Sequence, residues 1–210
     1  GTVKKTKLED YNNIRTSGLI SIKIDEGDEL KWIRPTTGDD EVVISTSMGQ
    51  AIRFHENDVR PMGRTARGVR GMRLRPNDVV VGMDIVEEDS NIFVISEKGY
   101  GKRTKISQFS PHKRGGVGIR SAVVNAKTGN LISVKSLTDE TPEVIIISNN
   151  GQTIRLGLKD IPSLGRTTQG VRIMRLADND SVASIALVSK EQLEDAEITD
   201  EGSSDAPVAK

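Results

Sequence analysis

Two kinds of glycine recur along this chain at nearly the same interval. The first kind stands at Gly1, Gly49, Gly99 and Gly151, spaced 48, 50 and 52 residues apart. A basic residue follows each of them four positions on: Lys5, Arg53, Arg103 and Arg155. The second kind closes a basic loop at Gly18, Gly68, Gly118 and Gly170, spaced 50, 50 and 52 residues apart. Two landmarks keeping one period define a repeated unit, with copies at residues 1–40, 41–90, 91–141 and 142–189. A period near 50 is the signature of a propeller or a linear array, in which each unit buries its apolar surface against the next.

Each complete copy reads as four short strands. Copy two opens with the β-branched run EVVISTS, turns at Met48-Gly49 into QAIRFH, and passes through the loop RPMGRTARGVRGMRLRP. Asn77-Asp78 then turns the chain into VVVGMDIV. Copy three repeats this as NIFVIS, YGKRTK, the loop HKRGGVG, IRSAVV and LISVKSL. Copy four has EVIIIS, QTIRLGL, the loop GRTTQG, VRIMRL and SVASIALV. In copy one, Leu19–Ile24 alternates apolar and polar residues and predicts a half-buried strand, with another beginning at Leu30–Ile33. No long window has helical periodicity. The expected class is all-β, four-stranded units repeated about an axis. Copy one lacks the apolar strand that should precede Gly1, and the chain opens without Met, so a piece of a longer chain is expected. After Ser189, KEQLEDAE predicts a short helical turn. The acidic remainder of residues 190–210, ending in Gly, Ser, Asp and Pro, predicts a disordered tail.

The balanced total of 30 basic and 30 acidic residues hides an asymmetry. Residues 190–210 hold seven acidic and two basic side chains, so the body carries a net +5. A basic body with an acidic tail points to a polyanionic partner. The basic positions repeat with the copies. Lys4, Lys5, Arg53, Lys102, Arg103 and Arg155 lie in the second strand of each unit. Arg15, Arg64, Arg67, Lys113, Arg114 and Arg166 precede the loop glycine, and Arg70, Arg120 and Arg172 follow it by two. Equivalent residues of units set about an axis lie at equivalent radius, so these groups predict a basic track. Charge at regular intervals suits phosphate neutralisation on a curved duplex. Aromatic residues make up only 3% of the chain, which argues against the stacking platforms of single-strand binders.

Other chemistries find little support. The chain has no Cys, which excludes disulfides and thiolate metal sites. His55 and His112 lie in different copies without paired-ligand spacing, so no metal site is expected. GYGKRT lacks the spacing of a phosphate-binding P-loop and runs into a strand. No Ser/His/Asp set can be assembled, and no catalytic residue is assigned. No apolar run approaches the roughly 18 residues of a membrane span.

Several stretches resemble the C-terminal domain of bacterial DNA gyrase A. They are SEKGYGKRTKISQF, NNGQTIRLGLKDIPSLGRTTQGVRIMRL, RTSGLISIKIDEGDEL and GQAIRFHENDVRPMGRTARGVRGM, and the likeness covers residues 1–189. It implies a β-pinwheel, a ring of four-stranded blades that exchange strands with their neighbours. It implies duplex DNA wrapped on the basic rim in support of ATP-dependent negative supercoiling by a type II topoisomerase. The partners implied are the rest of gyrase A and the gyrase B protein in a heterotetramer, in a cytoplasmic, nucleoid-associated enzyme. ATP and magnesium would act elsewhere in that holoenzyme, with no cofactor in this region. The family's hallmark box, QRRGGKG, has its nearest counterpart at His112, Lys113, Arg114, Gly115, Gly116, Val117 and Gly118, where His112 and Val117 depart from it. The full family domain has six blades, whereas four copies are present here. Two alternatives stand beside this reading: the corresponding C-terminal domain of topoisomerase IV, and a propeller-like protein-interaction scaffold.

Overall fold

A computed structural model describes residues 1–14, 16–139, 141 and 143–193. Arg15 and the acidic tail from residue 194 onward lie outside the described residues. Copy one supplies a single strand, β1 (Thr2–Val3). Copy two supplies β2 (Glu41–Thr46), β3 (Gln50–His55), β4 (Val69–Arg70) and β5 (Val80–Val86). Copy three supplies β6 (Asn91–Ser96), β7 (Tyr100–Lys105), β8 (Ile119–Arg120) and β9 (Leu131–Leu137). Copy four supplies β10 (Glu143–Ser148), β11 (Thr153–Gly157), β12 (Val171–Arg172) and β13 (Val182–Val188). A single 3-10 turn follows β3, β7 and β11, at Glu56–Asp58, Ile106–Gln108 and Leu158–Asp160. Residues 190–193 form the expected helical turn, with the Ser189 hydroxyl accepting from the Gln192 N–H at 3.2 Å as an N-cap. No helix among the described residues is long and apolar enough to cross a membrane.

The sheets are antiparallel and follow the copies, with one exchange. Their orders are β5-β2-β3-β8, β9-β6-β7-β12, β13-β10-β11 and β1-β4. The short strand after each basic loop therefore leaves its own copy and completes the sheet of the preceding one. Arg120 pairs with Gln50, Arg172 with Tyr100, and Arg70 with Thr2. The sequence places all four strands of a unit within one copy; the fourth belongs to its neighbour, as the gyrase resemblance implies. Copy four receives no such strand among the described residues and has three.

Copy one departs from expectation. Neither Leu19–Ile24 nor Leu30–Ile33 is a strand. Alternation favours a strand only where a sheet edge is available to pair with. Among the described residues the one strand of copy one is taken by β4, and residues 16–39 make one ladder-like bond, from the Lys23 N–H to the Ala66 carbonyl at 3.3 Å. Ile20, Ile24 and Ile33 consequently stay exposed.

Core lies between successive sheets. One face of β6, with Ile92 and Val94, packs with Val43, Ala51 and Val86 of copy two. The other face, with Phe93 and Ile95, packs with Val144, Ile146 and Met174 of copy four. A strand covered on both sides reads as a continuous apolar run, which is why β6 is NIFVIS and not an alternation. The strands β5, β9 and β13 pack in series.

The periodic glycines are the seats of the exchanged strands. Gly99 has φ +74°, and a Cβ there would lie 2.3 Å from the Met174 carbonyl oxygen, just beyond β12. Gly118 has φ +70°, and its Cβ would lie 2.3 Å from the Ala51 carbonyl oxygen on β3. Gly151, on the copy without a donated strand, has nothing within 4 Å. Alanine in this left-handed conformation costs about 1–2 kcal/mol for strain alone. Gly151→Ala should therefore cost roughly that much, and Gly99→Ala should cost at least about 3 kcal/mol because β12 must also move. Urea unfolding of the two variants compares these directly, and equal losses would contradict strand docking as the reason for the glycine at 99.

Candidate nucleic-acid interface

The basic side chains divide into two groups by what their nitrogens touch. The set four residues after the turn glycine reaches into the 3-10 turn of the next copy. Lys5 pairs with Glu56 at 2.6 Å and donates to Asn57 at 3.0 Å. Arg53 is clamped on Glu41 and donates to the Ile106 and Phe109 carbonyls at 3.2 and 3.1 Å. Arg103 donates to the Ile161 carbonyl at 2.8 Å. Arg155 has no following copy among the described residues and pairs with Glu143 in its own sheet. Three of these four therefore spend donors on holding copy to copy.

The loop set faces outward on one edge. Arg70, Arg120 and Arg172 sit at equal positions of β4, β8 and β12, all exposed. Neighbouring loops are linked by a repeated bond. Arg114 Nη1 donates to the Arg70 carbonyl at 2.9 Å, and Arg166 Nη1 donates to the Arg120 carbonyl at 2.9 Å. Each loop thus lies against the donated strand of the copy before. These links place Arg64, Arg67 and Arg70, then Lys113, Arg114 and Arg120, then Arg166 and Arg172, in series along one rim.

Individual geometries refine the series. Lys113 is 89% exposed, with its ammonium 2.8 Å from Asp58. Arg114 Nε donates to the Asp58 carbonyl at 2.8 Å, so one edge of its guanidinium is held and the rest faces out. Arg67 pairs with Asp25 at 2.9 Å, both well exposed. Arg166 lies 5.9 Å over the Phe109 ring. The box-like loop is stitched to copy two through its backbone. His112 N–H donates to the Arg53 carbonyl at 2.7 Å, Gly115 N–H to the Gly71 carbonyl, and the Gly116 carbonyl accepts from Arg73 N–H at 2.8 Å. Its Val117 side chain is exposed.

Lys102 is not a surface charge of this rim, and Lys4 is half-buried with its ammonium held by backbone. Lys102 is fully buried and donates to the Gly165 and Arg166 carbonyls at 2.6 and 2.9 Å. Lys4 donates to the Ser21 carbonyl at 2.6 Å and to the Arg64 carbonyl. Arg15 falls outside the described residues.

The structure also adds groups that the period hides. Lys127 lies 5.5 Å over the Tyr100 ring, and Arg172 lies 5.5 Å from the same ring with Nη2 donating to its hydroxyl at 3.1 Å. That bond from Arg172 is the main reason the Tyr100 hydroxyl is held below its ordinary pKa. Asn77 and Asn179 occupy the positions equivalent to Lys127, so repeat logic gives no cue to it. Among the described residues, no group of three or more His, Cys, Asp or Glu side chains is arranged to hold a metal.

Glu56 anchors the clamp between copies one and two. Burial by itself would raise its pKa, but Lys5, the Thr36 hydroxyl and the N–H groups of Asp40 and Gly38 bring it down from 4.5 to about 2. A depressed carboxylate gives stability that is complete above pH 4.5 and lost as pH falls toward 2. Glu56→Ala, which strands these donors, should cost about 3 kcal/mol near neutral pH. The gap in denaturation midpoint between wild type and variant should close between pH 5 and pH 2, and a gap independent of pH would contradict the assignment.

Comparison with known proteins agrees with this geometry. The sequence profile described as DNA gyrase C-terminal domain, beta-propeller, matches residues 1–37, 40–87, 90–137 and 142–189. The DNA gyrase A protein of Aminobacterium colombiense is 44% identical over 195 residues, which are 93% of this chain and 24% of that protein. The DNA gyrase A protein of Staphylococcus epidermidis is 40% identical over 193 residues, covering 91% of this chain and 22% of that protein. The chain thus spans about a quarter of the length of these relatives. Among solved structures, a DNA gyrase A C-terminal domain superposes with a TM-score of 0.79 at 28% identity, covering 89% of this chain and 62% of that one. The C-terminal domain of a DNA topoisomerase IV superposes with a TM-score of 0.87 at 24% identity, covering 98% and 64%, a likeness of fold. With four copies of the profile along the chain and strands exchanged between them, the chain belongs to the DNA gyrase C-terminal domain family.

Proposed function

We propose that this domain binds duplex DNA along the loop rim and bends it, as the DNA-wrapping part of gyrase A. The observation that carries the reading is the repeated Arg114–Arg70 and Arg166–Arg120 link, which sets equivalent cations in series along one edge. Cations at regular intervals neutralise successive phosphates and release condensed counterions without reading bases. An arginine held by a backbone carbonyl on one edge keeps its remaining N–H groups for phosphate, with less freedom to lose on binding. The bend would present a DNA segment to the strand-passage machinery of the holoenzyme, where ATP and magnesium are used and gyrase B is the partner. The setting is cytoplasmic, on the nucleoid. This chain's own residues bind and orient DNA, and none is assigned a bond-breaking role.

The corresponding domain of topoisomerase IV is the nearest alternative, supported by the higher TM-score. The 44% and 40% identities with gyrase A proteins favour gyrase. The protein-scaffold reading differs in salt response, because an apolar protein interface does not release counterions.

The test is a titration with unrelated duplexes of equal length at several salt concentrations. Engagement of roughly six phosphates predicts a log–log slope of about −5. Arg120→Ala should weaken all duplexes about equally and reduce the slope by about 1. Strong sequence preference, or affinity indifferent to salt, would overturn the proposal. Under the same reading, purified chain should neither cleave nor relax plasmid DNA, with or without ATP and magnesium.

A further inference from the structure

The strand that seats each basic loop comes in two chemical versions. Three positions after the turn glycine, copies one and three have Lys4-Lys5-Thr6 and Lys102-Arg103-Thr104, whereas copies two and four have Ile52-Arg53-Phe54 and Ile154-Arg155-Leu156. The loops that rest on them divide the same way. The loop after copy one is GRTARG and the loop after copy three is GRTTQG, while the loop resting on copy two is KRGGVG.

Geometry explains the match. On β7, Lys102 donates to the Gly165 and Arg166 carbonyls, and the Thr104 hydroxyl donates to the Leu164 carbonyl at 2.8 Å. Three successive carbonyls of the loop are thereby turned inward. Lys4 makes the corresponding bond to the Arg64 carbonyl, which is Arg166's counterpart. On β3, Ile52 instead packs on the KRGGVG loop, its Cδ1 3.7 Å from where a Cβ on Gly116 would sit. The fold does not require a lysine at this position, since Ile52 fills it and is itself buried. A fully buried ammonium is costly, and a pure packing role would favour the isoleucine.

We propose that Lys102 is a positioning residue for DNA binding: its buried ammonium fixes the Gly165–Arg166 backbone so that Arg166 stands in line with Arg120. This rests on the reading of the rim as the DNA-binding surface. Burial, with a smaller contribution from the Arg166 charge, lowers the Lys102 pKa from 10.5 to about 8. Arg103 and Arg172 are its other charged neighbours along β7 and β12, and Val94 is its uncharged partner on β6.

The test compares wild type, Lys102→Ile, Arg166→Ala and the double variant in duplex titrations with the whole chain, and Lys102→Met serves as an unbranched second replacement. Lys102→Ile copies the side chain at Ile52; it leaves the Gly165 and Arg166 carbonyls without their ammonium and should melt somewhat lower than wild type while keeping its circular dichroism spectrum. Its duplex affinity should fall roughly 3- to 10-fold, with the salt slope smaller by about 1, as for loss of one phosphate contact. Adding Arg166→Ala should bring little further loss, because both changes remove the same contact. Wild-type affinity should fall more steeply than that of Lys102→Ile as pH rises through 8. Affinities equal to wild type in both Lys102 variants, or losses that add in full with Arg166→Ala, would overturn the inference. Failure of wild type to bind any duplex would instead overturn the DNA reading on which it rests.

Discussion

The architecture hangs on a backbone contact that leaves no room for a side chain. Each donated strand lays a carbonyl against a glycine of the preceding sheet, at Gly49 from Ala122 and at Gly99 from Met174. It brings a second glycine against that sheet in return, at Gly118 and Gly170. A Cβ at any of these would sit 2.3–2.6 Å from a carbonyl oxygen. Only glycine also takes the positive φ at no steric cost. Both glycine landmarks of the repeat thus come from one event, the crossing of a short strand to its neighbour. The link is heterologous, each copy donating to the one before it and receiving from the one after it, which is the geometry that generates arcs and rings.

That crossing divides the work among the cations. A donated strand carries its preceding loop with it, so the loop of one copy lands on the rim of the previous sheet. The arginines leading into the strand then face solvent beside those of the copy before. The basic residue on the receiving strand lies on the path of the incoming turn, and its nitrogens go to that turn's carbonyls or carboxylate. Charge alone does not distinguish these two fates; position relative to the exchanged strand does.

This division marks the limit of what the residues reveal unaided. The period, the strands Leu131–Leu137 and Glu143–Ser148, and the turns at Asn77 and Asn179 were legible, because β-branching and turn chemistry are local. Arg53 and Arg120 look alike in sequence, since nothing local tells one that the Ile106 and Phe109 carbonyls will arrive at its guanidinium. Leu19–Ile24 misled for the same reason: its alternation is a strand pattern, but a strand also needs an edge, and edges are set by topology. Lys102 was legible as a cation and not as a buried one, because burial depends on the loop of the following copy.

The two loop versions suggest how one fold tunes its rim without moving its frame. A GRT loop has carbonyls to satisfy on its inner side, and a lysine with a threonine answers them. A KRGGVG loop turns its glycine backbone onto an isoleucine and obtains its polar contacts sideways, through Arg114 to Asp58 and Arg70. In both cases the outward arginine is steadied by hydrogen bonds to backbone, and backbone carbonyls carry no net charge to cancel it. A carboxylate partner would steady the same guanidinium but weaken its pull on phosphate. Glu41 and Glu143 pair with Arg53 and Arg155 of the set that follows the turn glycine, whereas on the rim Asp25 pairs with Arg67 and Asp58 with Lys113. Arg114, Arg166 and Arg172 are held by neutral oxygens, so that these rim cations stay both ordered and positive.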